Sequence, residues 1–501
     1  MTTHLHSVIG DGEILASGDL IRRLSDRGVS EIYARKIIGR KFEKDGVWRS
    51  KLPLPKNGRL FARNTFKQTP KFRTDVVQLL EKHRPGLARV ARALQRQEVI
   101  LSSDVARLGA CPRVAQRAKY PLVEQDIEAV QELGLGRMDG NESVLERLTR
   151  HDLAGSSPSH AAGLKAYSQR TAEIALANIL VEHFRQQNII SWNGKAIGEP
   201  SDGLVVFNNF SFNAASFTFL TPTLKHAPER KPKPSPFVLD VYARVCTEDD
   251  VGGFVERIRR AGQNTVSRLT FLGAIAAFDF DPRAWNTARG AGLIVINLKQ
   301  YFGDAALDAL SVVQEILKSV AGNVDQTTQS ETQRFAELLA ELKTNPWVKD
   351  LRSFGFETLT GLVLHSEGVG DVQLNRKATT KAGMEREVDV SGHLQNRERV
   401  HLVECKAEGR KKVLEPEYVR KFFGETVPAY LRTYCSGKMP RECRAEIWTT
   451  GIIGPEAHQA LKQISVKDFV APRLLGFDDV NGRIPSSLSS CKRLLSAISI
   501  D

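Results

Sequence analysis

Apolar and polar residues alternate most regularly between Arg386 and Ala407. Arg386-Glu387-Val388-Asp389-Val390-Ser391-Gly392 and Arg399-Val400-His401-Leu402-Val403-Glu404-Cys405-Lys406-Ala407 flank a polar tip at Gln395-Asn396-Arg397-Glu398. A period of two on both sides of a polar tip predicts a β-hairpin with one buried face. Glu404 and Lys406 lie two residues apart and share a face of the second strand, and a hairpin of this length brings Asp389 close to both. Helical periods dominate elsewhere. Residues 16–27 form an amphipathic helix with Leu20, Ile21 and Leu24 apolar, and Gly28-Val29 stops it. Ser30 caps a second helix over 31–41 that turns Ile32, Ile37 and Ile38 inward. Strands follow at 47–50 and 60–63, joined through the turn signal Asn57-Gly58.

Helix, turn, helix and basic wing in this order resemble a winged-helix DNA-binding domain over residues 1–68, with the helix at 31–41 as the groove reader. Arg35, Lys36, Arg40 and Lys41 on its polar face, and Arg59 of the wing, are the candidate DNA contacts. A long helix at 71–84 precedes a weaker second copy within 69–155, drawn from 89–97, 103–108, 113–119 and 124–133. Charge sharpens this picture. Residues 1–150 hold 28 Lys and Arg against 18 Asp and Glu, which is +10 of the chain's +13, as a polyanion-binding front end requires.

Asp389, Glu404 and Lys406 place two carboxylates and an amine at one spot, a set that can hold a divalent cation and steady an attacking water. The plain alternative is a strand-surface ion pair worth at most about 1 kcal/mol. It leaves unexplained why Glu404 stands inside the apolar run 400–407. The spelling Glu387-Val388-Asp389-Val390-Ser391-Gly392, followed by Val403-Glu404-Cys405-Lys406-Ala407, resembles the PD-(D/E)xK nucleases of the restriction-endonuclease-like superfamily. Its nearest likeness is to their Mrr-type branch, although Val388 stands where the family's proline would be. The resemblance covers residues 330–480 and implies a helix near 417–434, a strand at 444–450 and a helix opened by Pro455. It also implies a third acid from the preceding helix, for which Glu357 is the choice; Glu387 competes but shares a face with Asp389. The implied site has Asp389, Glu404, Glu357 and the Cys405 carbonyl around Mg²⁺ or Mn²⁺, with Lys406 beside the water. His393 and His401 belong, by alternation, to a solvated hairpin face.

The middle third repeats this order. A linker at 151–163 leads to a helix at 166–187, an alternating run at 204–219 and a stiff basic connector at 229–236. Then come a strand from Phe237, a helix at 249–261, a strand at 269–278 and a helix opened by Pro282. Leu239-Asp240-Val241-Tyr242 corresponds to Val403-Glu404-Cys405-Lys406, with tyrosine in place of lysine. The expected fold class is therefore multidomain. An α-rich winged-helix N-terminal region precedes two α/β restriction-endonuclease-like domains, at 163–322 and 330–480, the first degenerate, with a tail at 481–501.

Six scattered cysteines suggest free thiols in a cytoplasmic protein rather than a disulfide framework or a zinc site. No run approaches the ~20 apolar residues of a membrane span. The expected function is a Mg-dependent endodeoxyribonuclease of restriction or antiviral defence type, and the alternative is a non-catalytic DNA-binding protein or DNA-reading subunit. One site per chain makes a homodimer the expected route to double-strand cutting. The sequence carries no phosphate-binding loop, so ATP-driven steps would need a separate ATPase or activating subunit.

Overall fold

The computed structural model of the chain describes residues 5–40, 46–54, 58–114, 120–139, 147–153, 157–191, 204–218, 220, 234–263, 271–321, 326–342, 345, 347–394, 398–435, 439–465, 467 and 469–500. Its helices and sheets form a mixed α/β multidomain chain.

The N-terminal region holds one topology twice. Strand β1 (Ile14–Ala16), helices α1 (Ser17–Asp26) and α2 (Glu31–Arg40), and strands β2 (Val47–Arg49) and β3 (Leu60–Arg63) follow in order, and the three strands form an antiparallel sheet ordered β1-β3-β2. Helix α3 (Asn64–Lys67) leads to α4 (Pro70–His83), where Thr69 Oγ1 accepts from the Phe72 N–H at 3.2 Å and Pro70 fills a position needing no donor. After α5 (Pro85–Gln97), strand β4 (Val99–Leu101), helices α6 (Ser102–Gly109) and α7 (Val123–Glu132), and strands β5 (Gly136–Asp139) and β6 (Arg147–Arg150) repeat the order, with a sheet β4-β6-β5. The inward face of α2 differs from expectation. Ala34, Ile37 and Ile38 are buried, whereas Ile32 is 73% exposed, because three to four residues per turn place 34, 37 and 38 on one stripe. Most of the expected element at 113–119 lies outside the described residues.

The middle unit begins with α8 (Ser157–Gln186), so Ser157, Pro158 and Ser159 of the expected linker are already helical. The run expected as one strand divides into β7 (Val205–Phe207), β8 (Phe210–Phe212) and β9 (Ala214–Thr218). Asn208 and Asn209 adopt φ of 47° and 71° and turn the chain between β7 and β8. Then come β10 (Ser235–Cys246), α9 (Glu248–Gln263), β11 (Leu272–Phe280), α10 (Pro282–Gly290), β12 (Ile294–Asn297), α11 (Leu298–Phe302) and α12 (Asp304–Ala321). Their sheet is ordered β12-β11-β10-β9, with β9 antiparallel and the other pairings parallel.

Two helices, α13 (Gln326–Glu341) and α14 (Val348–Ser366), open the C-terminal unit. Strands β13 (Gly370–Thr379), β14 (Glu385–Leu394) and β15 (Arg399–Lys406) form an antiparallel meander. Helix α15 (Pro416–Lys421), a π-helical turn (Phe422–Thr426) and α16 (Val427–Tyr434) lead to β16 (Glu442–Thr449), α17 (Pro455–Gln463) and β17 (Val470–Leu475). The five strands run in sequence order, β15 to β17 parallel. Helix α14 lies against β13, β14 and β15, and Phe422, Phe423 and Tyr430 join the apolar core that includes Val400 and Leu402.

Helices α18 (Phe477–Arg483) and α19 (Ser489–Ile498) close the chain. The segment read as a tail is thus part of the core. Leu494, Leu495 and Ile498 are buried, and α19 packs on α13 and α14, because its apolar stripe is matched by theirs. Residues of α8, α12, α14 and α19 belong to one apolar cluster, so the two α/β units share a core.

Candidate active site

The site arises where two strands part. Strands β14 and β15 pair from Leu394↔Arg399 to Val390↔Val403. Upstream of Val390, β14 stays with β13, through Arg376↔Val388 to Thr379↔Glu385. Beyond Val403, β15 stays with β16, from Glu404↔Ile447 to Lys406↔Thr449. The two strands therefore diverge at Asp389 and Glu404. Divergence removes the ladder partner of the Cys405 N–H, and Asp389 Oδ2 replaces it by accepting that N–H at 2.7 Å.

A cleft of about 350 Å³ opens in this fork. Arg386, Glu387 and Asp389 line one side, Glu404 and Lys406 the other, and Tyr418, Lys421, Phe422 and Thr426 the wall formed by α15 and the π-helical turn. Lys406 Nζ donates to Glu404 Oε1 at 2.7 Å and stands 4.9 Å from the centre of the Tyr418 ring. Both charged side chains are largely buried, at 20% and 16% exposure, so their attraction is less screened than on an open surface. On the opposite face of β15, Cys405 Sγ donates to Thr360 Oγ1 of α14 at 3.4 Å; burial raises this thiol's pKa well above the ordinary value, which leaves it an inert packing group.

Crowding of like charge governs the electrostatics. Burial, then Asp389 and Glu387, push the Glu357 carboxyl well above its usual range. Burial, then Glu404, do the same to Asp389, although Lys406 and the Cys405 N–H oppose the shift. Lys406 is raised in turn, Glu404 and Asp389 outweighing the cost of burying its charge, so the amine stays protonated. Glu357, Glu387, Asp389 and Glu404 thus crowd around the Lys406 ammonium, with Arg386 and Lys421 at the cleft's edge.

The sequence-derived residues Asp389, Glu404 and Lys406 come together as expected, with Glu357 approaching Asp389 from α14. Glu387 lines the cleft itself, despite having been ranked below Glu357. Two residues carried no sequence signal. Tyr418 lies under the lysine, and Asn375, in the left-handed region at φ 56°, sets its amide beside Glu357. The histidine reading needs correction at His401, which is fully buried with Nε2 3.0 Å from Glu446 Oε2. His401 sits between antiparallel β14 and parallel β16, beside the Glu446 carboxylate, which Arg483 pairs from its other side.

A divalent cation fits this donor set. Among the described residues no three His, Cys, Asp or Glu side chains form a ready-made metal cluster. Mg²⁺, however, is ordinarily held by one or two carboxylates together with waters and substrate phosphate. Asp389 and Glu404 supply hard oxygen donors, and a bound cation would relieve the repulsion that drives protons onto Asp389 and Glu357.

On α2, Arg35 and Lys36 are exposed, and Arg35 pairs with Glu31 at 2.5 Å. Arg59 is half-buried, while the Arg40 side chain and Lys41 lie outside the described residues. No described helix is long and apolar enough to cross a membrane. No family model, curated protein or solved structure matches the chain.

Proposed function

We propose that this chain is a metal-dependent DNA endonuclease of the restriction-endonuclease-like kind, acting in defence against foreign DNA. The observation that carries the reading is the strand fork, which sets Asp389 opposite Glu404 and Lys406 in an acidic cleft. The strand–helix–helix–strand–strand order repeated before it supports a DNA-reading front end of two winged-helix units. Arg35 and Lys36, exposed on α2, then contact the phosphate backbone or base edges.

In this mechanism Asp389 and Glu404, with Glu357 behind them and the Cys405 carbonyl, would hold Mg²⁺ or Mn²⁺, which would supply Lewis-acid polarisation of the scissile phosphate. Lys406, kept protonated by Glu404, donates a hydrogen bond that orients the attacking water and offsets charge gathering on the phosphoryl oxygens. Glu404 and the Tyr418 ring fix the amine's position. Lys421, at the cleft's edge, offers a cation to the flanking phosphates, while Arg386 beside it is held by Glu425.

Cleavage of an end-labelled duplex with Mg²⁺, wild type against Asp389→Asn, tests the proposal. The wild type should cut, and the variant should be slower by about a hundredfold or more. Equal rates would remove Asp389 from the chemistry. Intact duplex binding with no cutting by either protein would leave a DNA-binding protein without catalysis.

A further inference from the structure

The middle unit contains the same strand fork. Ala214↔Leu239 is the last pair between β9 and β10, as Val390↔Val403 is between β14 and β15. One residue beyond, Asn213 stands where Asp389 stands, and Asp240 where Glu404 stands. The detail that follows from divergence is repeated too: Asn213 Oδ1 accepts the Val241 N–H at 2.9 Å, as Asp389 Oδ2 accepts that of Cys405. Tyr242 occupies the lysine position, and its hydroxyl donates to Asp240 Oδ2 at 3.1 Å. Strand directions from β9 to β12 match those from β14 to β17. Helices α8, α9 and α10 stand in chain order where α14, α15–α16 and α17 stand. Such register-level agreement is more than two unrelated α/β sheets would share.

What fills this second fork is an arginine from another unit. Arg107 of α6 reaches in, 2% exposed, and touches the counterparts of all four ligands assigned to the cation in the C-terminal cleft. Its Nη1 donates to Glu173 Oε2 of α8 at 2.9 Å. Its Nη2 donates to Asn213 Oδ1 at 2.9 Å and to the Val241 carbonyl at 3.1 Å, and lies 3.4 Å from Asp240 Oδ2. Arg257 of α9 pairs with Asp240 from the other side, and the Arg107 guanidinium lies 4.5 Å from the Tyr242 ring centre. Asp240 and Glu173 are buried, so these acids need cationic partners, and Arg107 bridges the two while Arg257 pairs with Asp240 and Arg170 with Glu173.

Resting on the nuclease reading, we infer that the middle unit is a second copy of the catalytic unit in which the Arg107 guanidinium occupies the position of the divalent cation. The second winged-helix-like unit is thereby locked onto the disarmed fork, and each chain keeps one cation site and one live cleft. The guanidinium is planar and permanently charged, and it satisfies a carboxylate–amide–carbonyl set without any metal.

Manganese binding to the full chain, followed by electron paramagnetic resonance under equilibrium dialysis, tests this without reference to cleavage. The wild type should bind one Mn²⁺, lost in Asp389→Asn. Arg107→Ala should add a second Mn²⁺ that Arg107→Ala with Asp240→Asn loses again. Two ions on the wild type would overturn the inference, as would a folded Arg107→Ala chain that gains none. Should Arg107→Ala fail to fold, Arg107→Gln, which keeps an amide donor for Asn213 and the Val241 carbonyl but removes the charge, should gain the second Mn²⁺ instead, and a folded Arg107→Gln chain that gains none would overturn the inference. No Mn²⁺ on the wild type counts against the nuclease reading; a single ion gained on Arg107→Ala would still uphold the copy.

Discussion

Asp389 and Glu357 are held in a destabilised arrangement, and their protonation should betray it. Both carboxyls are raised when folded, by burial first and by neighbouring acids next. A raised folded pKa means that the native state binds the proton more tightly. Their favourable contribution is complete below the ordinary carboxylate pKa of about 4 and disappears as pH rises through the folded values. Metal-free protein should therefore lose thermal stability from mildly acidic to neutral and alkaline pH. Glu357→Gln, unable to ionise, should stabilise the metal-free chain by about 1 kcal/mol at the higher pH. Mn²⁺ should raise the melting temperature more at pH 8 than at pH 5. Thermal unfolding in chelator and in Mn²⁺ at both pH values checks all three, and a pH-independent response to Mn²⁺ would separate the carboxyls from the cation. Tyr418 makes a different prediction. Tyr418→Phe keeps the ring under Lys406 and should cut nearly as the wild type, whereas Tyr418→Ala should lower kcat about tenfold or more with little change in KM. At this scale Asp389, Glu404 and Lys406 were legible because strand period and hairpin length fix their meeting. Tyr418, Asn375 and Arg107 were not: the packing of α15 and the left-handed turn of Asn375 follow no period in the sequence, and Arg107 comes from a unit remote in the chain.

Elements with a single clean period were read correctly from sequence, and their exceptions have physical causes. The helices at Ser17–Asp26, Pro70–His83 and Pro455–Gln463 carry apolar stripes with breakers or prolines at their ends. Strands β13 and β17 went unread. The first mixes Asp371, Asn375, Arg376 and Lys377 into its run, and the second contains Pro472, tolerated because β17 lies at the sheet edge. His401 was assigned to solvent because alternation does not distinguish a solvated face from one covered by helices. The group that makes its burial workable is Glu446. Against the upward push of burial, His401 and Arg483 hold this carboxyl at about 2. A depressed folded pKa contributes stability above the ordinary carboxylate range and loses it as pH falls toward about 2. Glu446→Gln should accordingly cost about 3 kcal/mol near neutral pH, and the difference should shrink on acidification. Chemical denaturation of both proteins across pH measures it.

For the whole molecule, the structure joins a basic, helix-rich N-terminal region to two α/β units with a common core. The matching order of elements in the middle and C-terminal units was legible, while Arg107 in the second fork was not. If the front end reads DNA, Arg35→Ala with Lys36→Ala should weaken duplex binding and flatten its salt dependence by about one unit of slope per lost phosphate contact. A fluorescence anisotropy titration over a range of salt would detect this, and an unchanged slope would place the DNA surface elsewhere. With one live cleft, each chain should cut one strand, so linear product should accumulate only after nicked product or upon pairing of chains.

The most direct measurement is incubation of supercoiled plasmid with Mg²⁺, wild type against Lys406→Ala, with plasmid binding followed in parallel. The account predicts nicked circles from the wild type, and undiminished binding by the variant with cleavage lower by about a thousandfold. Cleavage by Lys406→Ala at the wild-type rate would contradict it.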